Sequence, residues 1–348
     1  MSQPLTTPVQ LIEAGLIGSD RWAEIDRVSE RYAIALTESV TGLIDRDDPD
    51  DPIARQYVPD GRELHRLPEE SDDPIGDHPH SPVEGIVHRY PDRVLLKAVH
   101  VCPVYCRFCF RREMVGPSGD GMLAGAELER ALAYIRSHRE IWEVIVTGGD
   151  PLVLSPRRLE GLMRQLGEIA HLKIIRFHSR VPVADPGRID DALVAALRSS
   201  GKTVYVALHA NHPREFTPEA ATAIGKLVDG GIVLVSQTVL LKGVNDKIDV
   251  LEALMRRFVE LRVKPYYLHH PDLAPGTSHF RLSIRQGRAL VAALRKRVSG
   301  LCMPHYILDV PGGAGKVPLS ESPVMAVGEG IYEIESRKGE IKTYRDVS

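Results

Sequence analysis

Six times between residues 94 and 268 the chain passes through one unit: an apolar run rich in β-branched residues, a polar loop, then a segment of helical periodicity. The runs are residues 94–99, 144–146, 174–175, 203–208, 232–235 and 266–268. Continuous apolar runs, rather than alternating ones, suit strands buried on both faces, as in a parallel sheet covered by helices. The repeat therefore predicts an α/β fold built as a partial (β/α)6 barrel of parallel strands. The intervening helices have local support. Leu128, Ala131, Leu132 and Ile135 share one face, and Ser155-Pro156 and Thr217-Pro218 each put a capping hydroxyl before a first-turn proline.

The flanks read differently. Residues 1–90 alternate short amphipathic stretches, at 11–16 and 32–43, with acidic, proline-containing segments, and predict an N-terminal, mainly helical extension. Residues 91–300 form the barrel. Residues 301–348 form a C-terminal segment with an apolar stretch after Cys302, a glycine-rich turn at 311–316 and closing strands at 331–336 and 341–344. A net charge of -3 over 348 residues gives no electrostatic reason to expect a nucleic acid or a membrane as partner. The first thirty residues carry Glu13, Asp20, Glu24 and Asp26 and no apolar core, so neither a signal peptide nor an anchor is expected and the cytoplasm is the expected location.

Polar residues follow each strand: the cysteine loop, Gly148-Gly149-Asp150, His178-Ser179-Arg180, His209 with Asn211 and His212, Gln237, and His269 with Asp272. Loops are polar in any protein. In a parallel barrel, however, every strand's C-terminal end opens on the same mouth, so six such groups in succession predict one site assembled from remote residues.

Three of the four cysteines fall within eight positions, in V-C-P-V-Y-C-R-F-C-F-R-R-E at residues 101–113, spaced C-x3-C-x2-C. In a reducing compartment such thiols point to metal rather than disulfides. Four thiolates close a zinc site or fully ligate a four-iron cluster, whereas three leave one iron open to an exogenous ligand. A zinc site would recruit Cys302 or a histidine as its fourth ligand. Unligated core cysteines are the remaining alternative, against which Pro103 and the arginines at 107, 111 and 112 describe an exposed turn.

This loop, with an aromatic residue before its last cysteine and its place after the first barrel strand, resembles the radical S-adenosylmethionine enzymes. The resemblance implies that Cys102, Cys106 and Cys109 hold a 4Fe-4S cluster and that S-adenosylmethionine chelates its open iron. It also implies that Gly148, Gly149 and Asp150 meet the cofactor's amino group, the glycines allowing close approach. From about residue 50 onward the chain resembles, within that superfamily, the lysine 2,3-aminomutases: H-R-Y-P-D-R-V-L-L, C-R-F-C-F-R-R-E, S-Q-T-V-L-L-K-G-V-N-D, P-Y-Y-L, D-L-x-x-G-x-x-H-F-R and D-V-P-G-G-A-G-K occur in that family's order. The last is no phosphate loop, because Val310 stands where the first glycine should be and Val317 where Ser or Thr should follow the lysine. The resemblance implies instead that Lys316 carries pyridoxal 5'-phosphate, that Arg89, Tyr90 and Arg93 hold that coenzyme, and that His209 and Gln237 touch S-adenosylmethionine. It further implies that Arg111 binds the substrate carboxylate and that Asp272 and Asp309 pair with the distal ammonium of lysine. A reducing electron donor such as flavodoxin or ferredoxin and a homo-oligomeric state are part of the same expectation.

The chain departs from that pattern at His269, where the lysine enzymes usually carry a tyrosine, and it lacks the cysteine-rich zinc-binding tail of some members. The alternatives are a relative that isomerises lysine for attachment to elongation factor P, an aminomutase of a related amino acid, a radical enzyme without pyridoxal phosphate, and, from another class, a zinc-stabilised binding module.

Overall fold

The computed structural model describes residues 3–116, 121–123, 125–320, 322–336 and 339–347. Nine strands lie in chain order in one sheet: β1 (Ile86–Tyr90), β2 (Arg93–Val99), β3 (Glu143–Gly148), β4 (Ile174–Ser179), β5 (Thr203–His209), β6 (Val233–Val239), β7 (Lys264–His269), β8 (His305–Val310) and β9 (Gly315–Pro318). Strands β2 to β8 are parallel neighbours, and β1 and β9 run antiparallel at the two ends. The sheet curls into an incomplete barrel with helices outside it.

All six expected strands are present. The apolar stretch after Cys302 supplies a seventh parallel strand, β8, whose polar ends at His305 and Asp309 shorten its apolar run. Strand β1 begins the sheet inside the stretch assigned from sequence to the N-terminal extension. Its Ile86 and Val87 are buried, while His88 to Tyr90 are half-buried.

The helix-facing sides of the strands are buried throughout, and β3 is buried on both faces, whereas the cavity-facing sides of β2, β4 and β6 are only half-buried. Val144, Val146, Ile175, Phe177, Val206 and Leu208 belong to one core with the inner faces of the helices, such as Leu159, Leu162, Met163 and Leu166 of Pro156–Gly167 and Leu251, Leu254, Met255 and Phe258 of Ile248–Glu260. Thr217 caps its helix, its hydroxyl accepting from Ala220 N at 3.1 Å, but Ser155 makes no such bond.

In the N-terminal region the stretch at 32–43 forms only the single turn Glu38–Thr41. The longer helix precedes it at Trp22–Arg31, where a thin apolar stripe of Ile25 and Val28 is buried. Ile25 joins Leu11, Leu36, Val40, Ile53 and Tyr57 in a second core that includes Val104 of the cysteine loop. The extension therefore supports that loop directly. At the other end the expected closing pair gains a strand: β10 (Val324–Gly328), β11 (Ile331–Glu335) and β12 (Ile341–Arg345) form a separate antiparallel sheet. Among the described residues no helix is long and apolar enough to cross a membrane.

Candidate active site

Parallel strands deliver their C-terminal loops to one mouth, and a cavity of about 420 Å³ opens there and runs inward to Arg93 and Glu143 at the strand starts. The residues given a cofactor, metal or substrate role from the sequence all line it, namely Cys102, Cys106, Cys109, Arg89, Tyr90, Arg93, Arg111, Gly148, Gly149, Asp150, His209, Gln237, Asp272, Asp309 and Lys316, whereas Asn211 and His212 after β5 do not.

The cysteine loop is clamped from two sides. On the barrel side, Gly149 N donates to Val99 O at 2.6 Å and Asp150 N to Val101 O at 2.9 Å. A Cβ on Gly148, whose φ is +108°, would lie 2.2 Å from Val99 O, and one on Gly149 2.2 Å from Val101 O. The space a side chain would need at these glycines is thus taken by the backbone leading into the cysteine loop, while both glycines also line the cavity. On the other side, Arg107 N donates to Gln56 O at 2.8 Å and Tyr105 N to Ala35 O at 3.2 Å. Buried Glu63 accepts from Arg107 Nε at 2.9 and 3.0 Å and also pairs with Arg112. Burial opposes the Glu63 charge, but Arg107 and Arg112 outweigh it and hold the carboxyl below its ordinary range.

Burial pushes all three thiols of the loop up, Cys106 to about 11, so each keeps its proton until a metal displaces it. Among the described residues no group of three or more His, Cys, Asp or Glu is arranged around a single metal ion. Cys302 is buried in the barrel core. The donor set thus fits an iron-sulfur cluster held by three thiolates better than a lone zinc.

Asp150 lines the cavity and is fastened to the scaffold. It is buried and accepts from Leu152 N (3.1 Å), Ser179 Oγ (2.7 Å), Arg180 N (2.6 Å) and Val181 N (3.2 Å). Its carboxylate fastens the loop after β4 to the loop after β3. Asn211 and His212 also serve the scaffold: Asn211 bridges Gln56 and Val239 at 3.0 and 2.9 Å, and His212 caps the turn at Arg214.

Lys316, on β9, lines the same cavity. Its backbone N–H donates to Tyr90 Oη at 3.0 Å, and the guanidinium of Arg93 lies 3.8 Å from the centre of that tyrosine ring. The Lys316 ammonium pairs with Asp309 Oδ1, while Asp309 Oδ2 is 3.1 Å from His269 Nδ1. Despite burial, these two partners keep the Asp309 carboxyl well below its ordinary value. Asp272 behaves oppositely: burial and then the charge of Asp309 push it up to about 8.

Sequence reasoning missed two groups. Asp77, in an acidic segment read as loop, is buried and pairs with both Arg89 and Arg111. His178, noted only among the residues after β4, lies beside His209 with ring centres 5.5 Å apart. Burial, together with nearby Arg111 in both cases, holds both imidazoles neutral.

Several buried atoms of residues lining this cavity have no hydrogen-bond partner: His178 Nε2, His209 Nε2, His269 Nε2, Asp272 Oδ1 and Arg89 Nε. Unsatisfied buried polar atoms are costly. Unpartnered donors and acceptors on the residues lining a cavity that also holds Lys316 and the arginines fit an anionic, aromatic coenzyme and an amino acid.

The model of the radical SAM superfamily matches residues 96–254. The chain is 38% identical over 320 residues to the L-lysine 2,3-aminomutase of Acetoanaerobium sticklandii, covering 92% of this chain and 77% of that protein. It is 33% identical over 320 residues to the L-lysine 2,3-aminomutase of Escherichia coli, covering 92% and 93%. It is also 35% identical over 322 residues to the glutamate 2,3-aminomutase of Clostridioides difficile, covering 92% and 76%.

Proposed function

The chain belongs to the lysine 2,3-aminomutase family of radical S-adenosylmethionine enzymes, an isomerase by descent, and from that premise we propose that it moves the α-amino group of L-lysine to C3, giving β-lysine. One observation carries the choice of substrate: two aspartates, Asp272 and Asp309, line the cavity that also contains Arg111 and Lys316. An arginine suits the α-carboxylate, through paired N–H donors. Two carboxyl groups at the far end suit an ammonium and repel a second carboxylate, which favours lysine over glutamate.

Membership in the family implies S-adenosylmethionine and a four-iron cluster; pyridoxal phosphate on Lys316 completes the proposal. When bound, S-adenosylmethionine reduced at the cluster supplies a hydrogen-abstracting radical, and pyridoxal phosphate supplies a conjugated system that spreads an unpaired electron. The chain's own residues do the rest. Cys102, Cys106 and Cys109 hold three irons, and His209 and Gln237 contact the adenosyl cofactor. Arg89, Tyr90 and Arg93 grip the coenzyme beside the Lys316 amine. Arg111 and the two aspartates hold the substrate at both ends, fixing which hydrogen faces the radical. The buried walls keep water from reactive species. A reducing donor protein and a cytoplasmic location complete this reading.

Anaerobic incubation with L-lysine, S-adenosylmethionine and dithionite, followed by chromatography of the amino acids, tests it. β-Lysine should accumulate. Its absence, with β-glutamate formed from glutamate instead, would overturn the substrate assignment, and Lys316→Ala should abolish turnover in either case.

A further inference from the structure

Asp77 belongs to none of the strands, yet it is fully buried. Its two oxygens serve different arginines: Oδ1 accepts from Arg89 Nη2 at 2.9 Å, and Oδ2 accepts from Arg111 Nη2 at 3.0 Å and Nε at 3.2 Å. The backbone around it is fixed. Asp77 N and His78 N donate to the two oxygens of Asp73 at 2.7 and 2.8 Å, and Ser81 Oγ donates to Asp77 O at 2.8 Å. Directly before it, Gly76 (φ +68°) touches the Lys316 loop so closely that a Cβ there would lie 2.5 Å from Gly312 C.

A guanidinium presents its five donors along fixed edges. Asp77 takes the Nε and Nη2 edge of Arg111, and the remaining nitrogen, Nη1, has a long contact of 3.4 Å with Thr147 Oγ1. The two arginines and one carboxylate are also one negative charge short of balance. We infer that Asp77 is a positioning residue for the substrate's carboxylate: it turns the Nη1 side of Arg111 toward the cavity and, through its second oxygen, ties that orientation to Arg89. The inference rests on the proposed roles of Arg111 and Arg89. It adds that the substrate and coenzyme sides share one buried counter-ion.

The test uses anaerobically purified enzyme carrying its cluster and coenzyme. L-Lysine and L-lysinamide, in which the carboxylate is replaced, are titrated against the absorbance of the bound coenzyme, and KM and kcat for lysine are measured alongside. Wild type should prefer lysine. Asp77→Asn should cut that preference about tenfold, raising KM more than it lowers kcat, with iron content unchanged, and Asp77→Glu should recover part of it. An Asp77→Asn enzyme with the wild-type preference overturns the inference while leaving Arg111's role intact. If that variant does not fold, Asp77→Glu decides, because its longer stem must displace Arg111: an unchanged preference overturns the inference and a reduced one supports it. A wild-type enzyme that binds both compounds alike removes the role of Arg111 and the inference with it.

Discussion

His269 Nδ1 lies 3.1 Å from Asp309 Oδ2, on the side of that carboxylate opposite the Lys316 ammonium. With Asp309 ionised, Nδ1 is the donor. Because burial holds His269 neutral, it contributes a hydrogen bond and no charge. When Lys316 is engaged elsewhere, His269 is the partner left to steady the anion that faces a cationic substrate. Hydrogen bonds to charged groups contribute about 1.5–3 kcal/mol. His269→Phe should therefore raise KM for lysine by roughly 10- to 100-fold, and His269→Tyr, with a hydroxyl able to donate, should lose less. Steady-state kinetics on the two variants checks this, and equal losses would show that the hydrogen bond contributes nothing.

Asp272 gives the site a pH dependence whose sign is fixed. Its carboxyl is pushed up to about 8, so in the free enzyme it is neutral below that pH and anionic above it. A substrate ammonium binds the anion and must displace the proton below pH 8. KM for lysine should fall as pH rises toward about 8, by about tenfold per unit well below that point, and then level off. Asp272→Asn should flatten the profile. A wild-type KM constant between pH 6 and 9 would contradict this assignment.

The barrel was legible because the helix-facing side of each strand is buried and the cavity-facing side of β3 and β5 also carries apolar Ile145 and Ala207, so Val144 to Val146 or Val204 to Leu208 read as unbroken apolar runs. Strand β8 was less so, since Asp309 faces the cavity and interrupts the run. Among the site residues, those in recognisable motifs, such as Cys106 and Lys316, could be named. Asp77 and Glu63 could not. An acidic residue in a polar, proline-containing stretch looks like a solvated loop, and only its arginine partners, 12 and 34 residues away for Asp77 and 44 and 49 for Glu63, make it a buried counter-ion. Gly148 and Gly149 were readable as sites of close approach, but what approaches them was not.

Glu63 makes the support of the cysteine loop testable. It is fully buried between Arg107 and Arg112, both also buried. Removing one member of such a group leaves uncompensated charge and costs about 3–5 kcal/mol. Glu63→Gln should lower unfolding stability by that order in denaturant titration and reduce the iron bound after anaerobic reconstitution. Full stability with full iron content would show that the loop holds its shape without this ion pair.

The four cysteines should separate cleanly. Cys109 lines the cavity, whereas Cys302 is buried in the barrel core, with Tyr306 and Val298 in the same cluster. Cys109→Ala should abolish the iron-sulfur absorbance. Cys302→Ala should leave it intact and cost only the packing of one small side chain. Loss of iron in the Cys302 variant would reinstate a four-cysteine site.

Two glycines predict opposite losses. At Gly148, with φ +108°, a methyl group would collide with Val99 O and displace the entry to the cysteine loop; at Gly76, with φ +68°, it would collide with Gly312 and displace the loop that carries Lys316. Both contacts are with backbone, which cannot rotate away as a side chain can. Gly148→Ala should therefore lose iron while retaining a reactive Lys316, and Gly76→Ala should lose coenzyme absorbance while retaining iron. The two measurements on each purified variant, iron by chelation and pyridoxal phosphate by its absorbance, would have to move together in both to show that the cavity's two ends are one folding unit rather than separately supported.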